Sequence, residues 1–119
     1  MIFFLTINNL PPSLVYLSVD NKFNEAVTNL PQSLTYLSLG NKFNRAVTNL
    51  PQSLTHLILG DSFTFSIAKI PQSVIHLTLG RKFNRKLNKL PTRLVLIVLP
   101  QSYQQPVDMI PSNVVVVRT

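Results

Sequence analysis

The segment LPQSLTYLSLGNKFNRAVTN, residues 30–49, decides the architecture, because the chain on both sides repeats its pattern every twenty residues. Residues 10–29 read LPPSLVYLSVDNKFNEAVTN, residues 50–69 LPQSLTHLILGDSFTFSIAK, and residues 70–89 IPQSVIHLTLGRKFNRKLNK. Residues 90–109, LPTRLVLIVLPQSYQQPVDM, are more divergent, and residues 110–119, IPSNVVVVRT, open a sixth unit. The alignment needs no insertion. A fixed period of this length marks a stack of structural repeats, each too small to bury its own apolar face.

The aligned positions carry the physics. An apolar residue followed by Pro opens every unit, from Leu10–Pro11 to Ile110–Pro111. Further apolar rows run through Leu14, Leu34, Leu54, Val74 and Leu94, through Leu17, Leu37, Leu57, Leu77 and Ile97, and through Val19, Leu39, Leu59, Leu79 and Leu99. A ring follows at Phe23, Phe43, Phe63, Phe83 and Tyr103, then an aliphatic side chain at Val27, Val47, Ile67, Leu87 and Val107. Within SLTYLSLG the apolar residues alternate with more polar ones, the period of a strand with one buried face. Equivalent strands of successive coils then pair in parallel, about 4.8 Å apart. Gly40, Gly60 and Gly80 close three of these strands, where a turn needing positive φ is expected. The return stretch, NKFNRAVTNLP, is rich in Val, Thr and Asn and closes with Pro, so extended chain and turns are expected there, with little helix. The fold class that follows is mainly β: a leucine-rich-repeat-like, right-handed solenoid of 20-residue coils with one parallel β-sheet, spanning residues 1–119 as a single domain with partial coils at 1–9 and 110–119.

The units LPQSLTYLSLGNKFN and LPQSLTHLILG resemble the FNIP repeat, known from social amoebae and from giant viruses that infect amoebae. The likeness covers essentially the whole chain and rests on the LP-x-SL-x-x-L-x-LG block and the pairs Phe23–Asn24, Phe43–Asn44 and Phe83–Asn84. The family's Pro after Phe-Asn is replaced by Ala26, Ala46, Ser66 and Lys86 and returns as Pro106, while Thr64 and Gln104 break the Asn row. The strand block also resembles LxxLxL of leucine-rich repeats, with a different turn behind it. The resemblance implies an interaction module. Some members attach such repeats to an F-box, and no F-box-like segment precedes the repeats in this sequence.

Composition narrows the function classes. The chain has 119 residues, 45% hydrophobic and 13% charged, which is the balance of a folded chain. It has no cysteine, so disulfides, thiolate metal sites and Cys nucleophiles are excluded, in keeping with an intracellular location. The opening MIFFLTI lacks the basic start and cleavage site of a signal peptide, and Phe3, Ile7 and Leu10 are in register with the repeat, so a partial coil is expected. No stretch reaches the roughly 20 apolar residues of a membrane-spanning helix. With only four acids and no convergent acid–base group, the chain lacks the parts of a catalytic site, and no cofactor is expected.

Three candidate surfaces remain. Tyr16, Tyr36, His56 and His76 share one row on the exposed sheet face, continued by Leu96. Such a row is either a recognition surface for a protein partner or cross-strand stacking that only stabilises the sheet. His56 and His76 alone lack the third ligand a metal needs. Second, Arg81, Lys82, Arg85, Lys86, Lys89 and Arg93 lie within residues 81–93 without an acid, in a chain of net charge +7. They give an alternative, electrostatic binder of nucleic acid or an acidic partner, or else plain solvation of solenoid turns. Third, the apolar ends suggest end-to-end self-association, or a shortened gene product. The repeated Asn and the row Ser13, Ser33, Ser53, Ser73 read as hydrogen-bonding groups inside the turns.

Overall fold

The computed structural model describes residues 7 and 9–119, so Phe3 and most of the expected first partial coil lie outside the described residues. Each coil contributes one short strand: β1 (Tyr16–Ser18), β2 (Tyr36–Ser38), β3 (His56–Ile58), β4 (His76–Thr78), β5 (Leu96–Leu99) and β6 (Val115–Arg118). They form one parallel sheet in chain order. Pairing is offset by twenty residues between the first five strands, as in Tyr36↔His56 and His76↔Leu96. No helix occurs among the described residues.

The core is the set of apolar rows. Leu37, Leu57, Leu77 and Ile97 are fully buried, as are Leu39, Phe43, Phe63 and Phe83. The rings stack through the stack of coils, with centroids 6.1 Å apart for Phe23–Phe43, 6.2 Å for Phe43–Phe63, 6.3 Å for Phe63–Phe83 and 6.0 Å for Phe83–Tyr103. Identical side chains in register pack against themselves, so one solution serves every coil. Ile7 is buried in the Val27 row, and Leu10 packs against the core. Val107, in the same row, is 40% exposed.

Polar groups of the turns bond within their own coil and to the coils on either side. In every unit the residue three after the conserved Pro donates its amide to the Pro carbonyl, for example Leu34 N to Pro31 O at 3.2 Å. The hydroxyls of Ser33, Ser53 and Ser73 donate to the carbonyls of Leu14, Leu34 and Leu54, each at 2.6 Å. Asn24 Oδ1 accepts from Asn44 N at 2.8 Å, Asn44 Oδ1 from Thr64 N at 3.0 Å, and Asn84 Oδ1 from Gln104 N at 2.9 Å. The Ser and Asn rows are therefore structural: they satisfy backbone donors and acceptors that a helix or wide sheet would otherwise pair.

Two features depart from the sequence reading. Of the three strand-closing glycines only Gly40 has positive φ, at 75°. Gly60 and Gly80 are required for closeness instead. A Cβ on Gly60 would lie 2.4 Å from Gly40 O, and one on Gly80 would lie 2.5 Å from the Gly60 carbonyl carbon. The left-handed backbone appears elsewhere, at Asn9, Asn29 and Lys89, with φ of 65°, 59° and 57° at the same coil position. Lysine lacks the local side-chain bonding that lets Asn adopt this region. Lys89→Asn is therefore expected to stabilise the fold by about 0.5–1 kcal/mol, read as a thermal midpoint a few degrees higher.

The second departure is in the register. Between β5 and β6 the offset is nineteen residues, pairing Ile97 with Val116 and Leu99 with Arg118. A continued offset of twenty would set Thr119 against Leu99 and turn Arg118 outward. A one-residue slip exchanges the two faces of a strand. The turn before the slip is kept, with Val114 N donating to Pro111 O at 3.0 Å and Val114 buried. Arg118 thereby enters the core-side row, its guanidinium carbon 5.8 Å from the Tyr103 ring centre and its Nη1 donating to Tyr103 O at 3.0 Å. A cation over an aromatic face is attractive, so the slip covers the last ring of the stack with a charged group able to face water. The valines of β6 stay exposed, with Val115 at 57%. The apolar end expected from the sequence is thus only partly open at this side.

Candidate partner-binding face

The first residue of each strand points away from the core, which sets Tyr16, Tyr36, His56 and His76 side by side on the sheet's outer face. Tyr16 and Tyr36 stack with centroids 4.1 Å apart and planes within 7°. Tyr36 and His56 follow at 6.1 Å, and the two imidazoles meet edge to face at 4.4 Å and 77°. The Oγ1 of Thr55 lies 2.9 Å from His56 Nδ1 and fixes that ring. Tyr36 and His56 are thus held on both sides by rings of the row and from below by a parallel sheet.

At two positions of the row the surroundings favour the neutral form. Burial, and secondly the charge of His76, lowers the His56 pKa, so its imidazole form is favoured at neutral pH. Burial, and secondly the Tyr16 phenol, raises the Tyr36 pKa. The flanking row, Ser18, Ser38, Ile58, Thr78 and Val98, is half-buried and carries no charge. Among the described residues no group of three or more His, Cys, Asp or Glu side chains gathers to hold a metal. What this face supplies is an aromatic row that presents hydroxyl and imidazole edges.

The basic residues do not form one patch. Arg81 and Lys82 lie in the turn after β4, where Arg81 N donates to Asp61 Oδ1 at 3.1 Å and Arg81 Nε stands 3.9 Å from Asp61 Oδ2. Arg85 and Lys86 occupy the bend of the return stretch, Lys89 the positive-φ corner, and Arg93 the turn before β5. All six are exposed. A run contiguous in sequence is spread around the coil, because thirteen residues make more than half a turn of the solenoid. The exposed Arg81–Asp61 contact contributes little to stability.

One exposed residue was missed in the sequence. Phe65 is 38% exposed, at a coil position held by Glu25, Arg45, Arg85 and Gln105 elsewhere. Its apolar character in a polar row was the available signal.

A parallel solenoid with short strands, turn-rich returns and a single continuous core is a leucine-rich-repeat-like protein, a class that ordinarily serves interaction and not catalysis. The FNIP Repeat family model matches residues 4–42, 23–62 and 43–82, and the chain belongs to that family. Among solved structures it is similar to the crystal structure of CroV588, a giant-virus protein described as a novel circular LRR protein, with 36% identity and a TM-score of 0.83. That likeness covers 97% of this chain and 19% of CroV588, so this chain spans about a fifth of that protein's length. No curated protein matches it. No helix among the described residues is long and apolar enough to cross a membrane.

Proposed function

We propose that the chain is a non-enzymatic scaffold that binds a protein partner through Tyr16, Tyr36, His56 and His76. The observation that carries this reading is the row of pre-stacked, half-exposed rings on a rigid sheet. Such rings have lost their side-chain freedom before binding, so a partner meets a surface whose ordering cost is already met. Tyr is also enriched among residues that dominate interface energetics. The cysteine-free composition supports a reducing, intracellular setting for that partner. Association of copies end to end, the other partner expected from the sequence, would use the open edge of β6.

The test compares wild type with Tyr36→Ala/His56→Ala in affinity capture followed by mass spectrometry. A purified partner so identified is expected to bind the double variant at least about 30-fold more weakly, the effect of losing roughly 2 kcal/mol at an interface hot spot. Folding should survive, because exposed cross-strand pairs contribute only about 0.2–1 kcal/mol each. Equal recovery of all proteins by both forms sinks the proposal and leaves the stack as sheet stabilisation alone.

A further inference from the structure

A second surface lies on the return side of the solenoid and owes nothing to the sheet face. Phe65 leans on the buried Phe63, with ring centres 6.3 Å apart and planes tilted by 47°. In the next coil, Arg85 Nε donates to Thr64 O at 2.6 Å. That carbonyl belongs to the peptide leading into Phe65, so Arg85 is tied to the backbone that carries the exposed ring. No other hydrogen bond of the Arg85 side chain occurs among the described residues. A shallow groove begins there, lined by Ser66, Asn84, Arg85, Lys86, Asn88 and Gln105. None of these is a carboxylate. Asn84 Oδ1 is taken by Gln104 N, which leaves its amide NH2 to the groove, whereas Asn88 and Gln105 offer both donor and acceptor.

We propose that Phe65, Arg85 and this groove bind single-stranded nucleic acid, with one base stacked on Phe65 and its phosphate on Arg85 and Lys86. An aromatic platform beside fixed cations is how single strands are held without a sequence code. The exposed ring favours this ligand over an acidic peptide, because a base offers a π-face to stack on it and a carboxylate side chain does not. Duplex is disfavoured, since the ring needs an unstacked base and no helix or hairpin projects to enter a groove. The net charge of +7 draws such a polyanion in. The site differs from a general electrostatic surface: it centres on Phe65, outside the basic run, and does not need Arg81, Lys82 or Arg93.

The test is fluorescence anisotropy of fluorescein-labelled oligo(dT) and oligo(U) with the full chain, over a salt series. Phe65→Ala should weaken binding roughly 5- to 150-fold, and Phe65→Trp should restore it. Arg85→Gln should weaken binding and flatten the salt dependence by about one phosphate contact. Lys22→Ala/Lys42→Ala, in a different turn, should leave the Phe65 dependence intact. Circular dichroism melts should show Phe65→Ala folded, since that side chain is largely outside the core. Absence of oligonucleotide binding by wild type overturns the proposal. So does binding that Phe65→Ala leaves unchanged, or a Phe65-dependent affinity for a polyglutamate peptide in place of the oligonucleotides.

Discussion

Phe63→Ala is expected to cost about 3–5 kcal/mol, the upper range for a single core truncation. Phe63 is fully buried at the centre of the ring stack, with Phe43 on one side and Phe83 on the other. Truncation leaves a ring-sized void between two rings that cannot close on it, because the hydrogen-bonded strands and turns fix the distance between coils. Against a total stability on the order of 5–15 kcal/mol, this removes about a fifth or more. The thermal midpoint should fall by roughly 10–25 °C, and the urea midpoint should fall with it. Tyr103→Ala should cost less, because Tyr103 has a buried ring below it but only Arg118 above. Equal losses at the two positions would mean that the rings do not act as a stacked column.

Gly60→Ala is expected to be nearly as damaging for a different reason. The added Cβ would meet Gly40 O at 2.4 Å and Asn41 Cα at 2.7 Å, both backbone atoms. Ordinary contact begins at 3.4 Å, and only a shift of two stacked turns by up to about 1 Å can supply it. That shift works against Ser62 N to Asn41 O at 3.0 Å and Leu39 N to Ile58 O at 3.1 Å, bonds that set the spacing of the coils. A loss of about 2–3 kcal/mol follows, visible as a melting midpoint lower by roughly 8–15 °C. Pro100 holds the same place in the fifth coil, so the cost at Gly60 measures how far adjacent turns must readjust. Asp20 also holds it, in the first coil, where no described turn lies beneath. A neutral result would show that the coils separate freely at this corner.

The candidate face was legible because Tyr16, Tyr36, His56 and His76 alternate with buried leucines, and in a period of two their outward direction follows from Leu37 and Leu57 pointing in. Their mutual geometry was not legible. Tyr16 and Tyr36 lie flat on each other while His56 and His76 meet edge to face, a choice made by Thr55 and by the crowding of two imidazoles. The basic run showed the opposite: residues adjacent in sequence were read as one cluster, and the short coil carried them around its perimeter. Phe65 and Arg85, twenty residues apart, became neighbours by the same geometry.

The sequence by itself determined the coil length, the parallel pairing, the core rows and the Ser and Asn bonds, because in a stack of like units the same contacts recur from coil to coil. The tertiary structure decided what breaks that symmetry. The nineteen-residue offset that brings Arg118 over Tyr103, the closeness that demands Gly60 and Gly80, and the tie of Arg85 to the backbone that carries Phe65 each depend on what lies in the adjoining coil. Periodicity specifies the average coil. The departures are set by local contacts across the coil interface, where a shift of one residue or one methyl group changes which groups meet.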